Sequence, residues 1–145
     1  MIQLSTVNST FGWTKEYEAF PVLRKLKDIS YIQGFEKVQF IIFYGSASCG
    51  EATTDSDLDI CIYFESTNDK ASRFRFDVLS QIGDDRLDIQ IFQQLPLYVR
   101  VQVLKGVVLF YRDLPFVYET ALLTIKEFES FKHRLYDYTG QALIS

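Results

Sequence analysis

One histidine, two cysteines, one tryptophan and one methionine are all that these types contribute to the 145 residues. A lone histidine rules out the histidine-rich ligand sets of catalytic zinc. The cysteines, Cys49 and Cys61, have neither zinc-ligand spacing nor the number that a disulfide framework needs, so free thiols in a reducing cytoplasm are expected. Basic residues are scarce as well: 15 Lys and Arg stand against 19 Asp and Glu, for a net charge of −4 and a pI near 5.0. That balance argues against a large nucleic-acid interface, which needs a phosphate-neutralising surface. No apolar run reaches the roughly 18 residues of a membrane span, and MIQLSTVNST has neither the basic nor the apolar region of a secretory leader, so no membrane association is expected. Internal repeats and low-complexity tracts are missing too.

What is present is a core. With 48% hydrophobic residues, the chain is expected to form one domain over 1–145, with residues 1–10 poorly ordered. Its purpose shows most clearly in FIIFYGSASCGEATTDSDLDICIYF, Phe40 to Phe64. The apolar run Phe40 to Tyr44 reads as a buried strand stopped by Gly45. Gly45 and Ser46, followed by the small residues Ala47, Ser48, Cys49 and Gly50, let backbone N–H groups come close to a phosphate. The next segment, Asp57-Leu58-Asp59-Ile60-Cys61-Ile62, alternates as a strand does, placing Asp57, Asp59 and Cys61 on one face. At a rise of about 3.3 Å per residue the two aspartates stand roughly 6.6 Å apart, close enough to converge on one cation or on two. Like charges on one face repel each other, and a bound divalent cation removes that cost. Solvated loop acids are the plain alternative, since a single D-x-D is a weak signal.

Gly45-Ser46, ten further residues, then Asp57-Leu58-Asp59 resembles the signature of the DNA polymerase β-like nucleotidyltransferase superfamily, and most closely its minimal nucleotidyltransferase (MNT) branch. The likeness extends through the strand Arg86 to Gln93 and the segment Leu95 to Asp113, about 100 of the 145 residues. One departure stands out: where such proteins often have an arginine soon after the Gly-Ser pair, this chain has Ala47-Ser48-Cys49. The resemblance implies a two-metal Mg²⁺ site on Asp57, Asp59 and a third acid, nucleotide binding by Gly45, Ser46, Asp57 and Asp59, and ATP as substrate. Asp88, on the strand Arg86 to Gln93, is the third acid expected; Asp84 and Asp85 compete but sit in the turn after Gly83. Catalysis is then assigned to Asp57, Asp59 and Asp88. Lys70 or Arg73 is a candidate for the missing phosphate contact, with solvated surface as the plain alternative.

The remaining segments read as supports. A helical pattern runs from Trp13 to Ile32, with Tyr17, Phe20, Leu23, Leu26 and Ile29 at three-residue steps and Pro21 marking a break or a fresh first turn. Ala71, Phe74, Val78, Leu79 and Ile82 mark a second helix that Gly83 ends. A short helix starts near Pro96 and is closed by Gly106, ahead of a strand from Val107 to Tyr111. A long helix spans 113–140, with Val117, Ala121, Ile125, Phe128, Phe131, Leu135 and Tyr138 at spacings of three and four. His133 falls off that stripe and reads as exposed. The expected fold is α/β, or α+β by stricter usage: a small mixed sheet of about four strands, helices packed on one face and the acid-bearing face open.

The function expected is metal-dependent transfer of AMP from ATP to a hydroxyl. The MNT resemblance implies an antitoxin whose acceptor is a tyrosine of a partner HEPN-type toxin. Two alternatives stand beside it: an antibiotic-type nucleotidyltransferase acting on a small molecule, and a module that neutralises a partner by masking it. The long helix is the candidate contact surface, for a partner or for a second copy of the chain.

Overall fold

The computed structural model describes residues 12–15, 21–45 and 57–139. Runs rich in β-branched and aromatic residues form β1 (Val38–Tyr44), β2 (Leu58–Phe64), β3 (Leu87–Ile91) and β4 (Val107–Tyr111). They make one sheet in the order β3-β2-β1-β4. β1 runs antiparallel to β2 and to β4, whereas β2 and β3 are parallel. A parallel pair needs a crossover, and α1 (Asn68–Ile82) supplies it. The Thr67 side chain caps α1 by accepting from the Lys70 N–H, and Gly83 at φ 62° ends it by donating its N–H to the Leu79 carbonyl. Ala71, Phe74 and Val78 are buried from its inner face, as the periodicity predicts.

The first helical segment is narrower and tighter than expected. A 3₁₀ helix covers Pro21–Tyr31, with Pro21 in its first turn. Leu23, Leu26 and Ile29 are fully buried at three-residue steps, the period at which 3₁₀ side chains stack above one another. Tyr17 and Phe20 lie outside the described residues. Trp13, expected to begin the helix, is extended: it bridges to Phe110 of β4, and the Thr14 N–H donates to the Leu109 carbonyl at 2.9 Å. Pairing with β4 satisfies backbone groups and buries the indole against Phe110, a gain the local helical pattern could not reveal.

Two apolar clusters sandwich the sheet. On one face Ile41, Phe43, Ile60, Ile62, Ile89 and Ile91 pack under α1 and the 3₁₀ helix. On the other, Phe40, Ile42, Cys61 and Phe92 pack under α2 (Leu97–Val103) and the first half of α3 (Leu114–Thr139). The four strands and the long last helix match the expected fold. The acid-bearing face, expected open throughout, is covered at this end, because Phe40, Ile42 and Phe92 are too apolar to face water. Tyr44, Asp59 and Asp88 on the same face are partly exposed. Of α3, Val117, Ala121 and Thr124 are buried, and no residue from Ile125 to Asp137 is. Among the described residues no helix is long and apolar enough to cross a membrane.

Candidate active site

Strand register brings the acids together. Leu58 pairs with Leu87, Asp59 with Asp88 and Ile60 with Ile89, so the two aspartates are direct neighbours across the parallel strands. On the other side of β2, Asp59 pairs with Tyr44 of β1. Tyr44, Asp59 and Asp88 therefore form a row across three strands, on the face that alternation assigns to Cys61 and Gln90. Burial pushes the Asp59 carboxyl above its ordinary range, and the charges of Asp88 and Asp57 and a hydrogen bond with the Asp88 carboxyl push it the same way. Burial, then the charges of Cys61, Asp59 and Asp88, raises the Tyr44 phenol too.

Each remaining expected residue has a definite place. Asp57 stands just before β2 and is exposed; its charge reaches Asp59, but among the described residues no group of three His, Cys, Asp or Glu is arranged to hold a metal ion. Gly45 follows β1 at φ 83°, a conformation that favours glycine, and a Cβ there would lie 2.3 Å from Oδ2 of Asp59. The absent side chain makes room for the carboxylate. Ser46, Ala47, Ser48, Cys49 and Gly50 lie outside the described residues. Cys61 is a buried free thiol whose ionisation burial opposes, so it is a packing residue beside the site.

Of the competing acids, Asp84 is already engaged. It accepts the Arg86 N–H at 2.9 Å and pairs with Arg86 and Lys25, and that backbone hydrogen bond leads the effects that lower its pKa. Lys70 and Arg73 lie near the end of β2, away from Asp59 at its start. Both line a cleft with Phe64 and Ser66, and Arg73 pairs with Asp77 at 3.3 Å. Phe64 stands five steps of strand beyond Asp59, about 16 Å at the usual rise. α1 begins after β2 ends, so its first turn sits where β2 finishes and Asp59 lies where it starts.

Two neighbours were not singled out from the sequence. Gln90 donates from Nε2 to Asp88 Oδ1 at 2.9 Å and fixes that carboxylate. Tyr44 flanks Asp59. The i, i+2 spacing to Asp88 marks Gln90 once β3 is known, but the partner of Asp59 on β1 depends on a register that no local pattern supplies.

This sheet, with two adjacent carboxylates beside a glycine turn, has the architecture of a nucleotidyltransferase. The chain belongs to the polymerase beta nucleotidyltransferase family, whose sequence pattern matches residues 25–114. It is 36% identical over 70 residues to a Methanocaldococcus jannaschii protein provisionally named a protein adenylyltransferase; the match covers 48% of this chain and 52% of that relative's length. In fold it is similar to a chain of a toxin-antitoxin complex with AMP-PNP, at a TM-score of 0.66 and 18% identity over 87% of this chain and 100% of that one. It is also similar to a chain of the complex between a tri-AMPylated Shewanella oneidensis HEPN toxin and its MNT antitoxin, at a TM-score of 0.59 and 18% identity over 85% of this chain and 98% of that one.

Proposed function

We propose that the chain, acting as one domain in the cytoplasm, is a metal-dependent nucleotidyltransferase that moves AMP from ATP to a hydroxyl, with a tyrosine of a HEPN-type toxin as acceptor and an antitoxin role. The observation that carries this is the in-register pair Asp59 and Asp88 beside a glycine that leaves room for one of them. The relative's name and the AMPylated toxin in a structural neighbour support the nucleotide and the class of acceptor.

The donor set fits Mg²⁺. Hard carboxylate oxygens suit it, and because it keeps waters and phosphate oxygens in its shell, one or two protein carboxylates suffice. A carboxyl pushed upward by burial and by neighbouring acids, as Asp59 is, gains from a nearby cation. Asp59 and Asp88, with Asp57 as a further ligand, would hold up to two such ions. Bound Mg²⁺ supplies positive charge for the phosphates during transfer. Gly45, and Ser46 after it, would bind the nucleotide. In the reaction the acceptor oxygen bonds to the α-phosphorus of ATP, the α–β phosphoanhydride breaks and pyrophosphate leaves. Asp88, held by Gln90, takes the hydroxyl proton.

The test is incubation with α-labelled ATP and Mg²⁺, with and without a HEPN-type partner. Label appearing on the partner's tyrosine is the expected result. Complex formation without label would favour the masking module.

A further inference from the structure

The second half of α3 continues an apolar seam past the point where its own domain can cover it. Val117, Ala121, Thr124, Phe128, Phe131 and Leu135 recur at alternating spacings of four and three, the heptad period of paired helices. The first three are buried against the sheet and α2 side of the molecule, whereas Phe131 is 44% and Leu135 39% exposed. A stretch of about 13 residues in which no side chain is fully buried is marginal as a helix in water. Phe128 meets Tyr98 of α2 at 6.3 Å between rings, and Tyr98 is itself 62% exposed.

The charges bordering the seam indicate what covers it. Glu127 and Arg134 both precede seam residues, Phe128 and Leu135, and so lie on the same edge, seven residues apart. When two identical helices pack antiparallel about a two-fold axis, that edge meets its own copy and residue i opposes j while j opposes i. A centre near residue 130 sets Glu127 against Arg134 of the other copy, twice, and stacks Phe128 on Phe131 of the other copy, also twice. Glu127, itself exposed, has a long contact at 3.8 Å with the half-buried Arg100, and among the described residues none of the ion pairs includes Arg134. Lys132, on the opposite edge, is already matched within its own helix by Glu129 at 3.6 Å, so that edge brings no repulsion.

We propose that two copies of this chain associate through the antiparallel pairing of their α3 helices from Thr124 onward, with the Glu127–Arg134 pairs fixing the register. Light scattering on the full chain, without nucleotide or partner, tests it. A dimer is expected for the parent. Glu127→Arg and Arg134→Glu each place like charges opposite one another and should weaken association by about tenfold. An equimolar mixture of the two variants should recover the dimer, because each copy then carries the charge that the other lacks. Arg134 is exposed, and far-UV circular dichroism of each variant checks that Glu127→Arg, which also faces Arg100, keeps the fold. A parent chain that stays monomeric up to about 0.1 mM, a dimer indifferent to both changes, or a mixture that fails to recover would each overturn the pairing. Binding of a different protein by a monomeric parent would do the same and would give the seam to that partner.

Discussion

Gly45 and the Asp59 carboxylate compete for one volume: a Cβ on residue 45 would stand 2.3 Å from Oδ2 of Asp59. The turn after β1 and the acid on β2 are therefore a single device. Gly45→Ala should displace Asp59 and add strain at φ 83°, lowering stability by about 1 kcal/mol or more. Gly45→Val should abolish Mg²⁺-ATP binding while far-UV circular dichroism stays that of the parent. Normal ATP binding by the valine variant would mean that the phosphate site lies elsewhere.

Asp59 should make the metal-free protein less stable as the pH rises. Its pKa in the fold is raised above 3.8, mainly by burial, so the protonated carboxyl is the form the fold favours. The stability it contributes is fully present below the unfolded value and is lost as pH climbs through the raised one. The advantage in melting temperature of the parent over Asp59→Asn in chelator should thus shrink as pH rises above about 4. A difference between the two that does not change with pH would remove Asp59 as the source of that loss.

Mg²⁺ should reverse that loss. ATP with Mg²⁺ should raise the melting temperature by mass action, and ATP with chelator much less. Equal shifts in the two conditions would argue against a cation on the Asp59–Asp88 pair.

Asp88→Asn keeps the shape of the side chain but removes a base. AMP transfer should drop by roughly 10² to 10⁴ in kcat, with ATP binding close to the parent's. Transfer at the parent rate would exclude Asp88. Asp84 would be a poor replacement, since Arg86 and Lys25 already hold it.

Arg73→Ala and Lys70→Ala should leave Mg²⁺-ATP affinity unchanged, because both residues line the cleft beside Phe64, at the far end of β2 from Asp59. A tenfold loss of affinity in either variant would place the triphosphate across the sheet instead.

The sequence alone determined the elements and the faces they bury. Apolar runs named the strands, Gly83 and Pro96 marked helix ends, and alternation put Asp59 and Cys61 on one face, all because backbone periodicity and capping act within a few residues. The Asp59–Asp88 pairing was only half visible. Alternation could put each acid on a face of its strand, but α1 and its flanking loops separate β2 from β3, and the register across that crossover is set by how Leu58, Ile60 and Ile62 mesh with Leu87, Ile89 and Ile91 beneath α1. Tertiary packing likewise decided that Trp13 joins β4, that α2 and α3 cover one end of the acid face, and that Lys70 and Arg73 line the cleft beside Phe64. Each of these turns on which distant surface buries the most apolar area, a comparison between whole arrangements that no single segment contains.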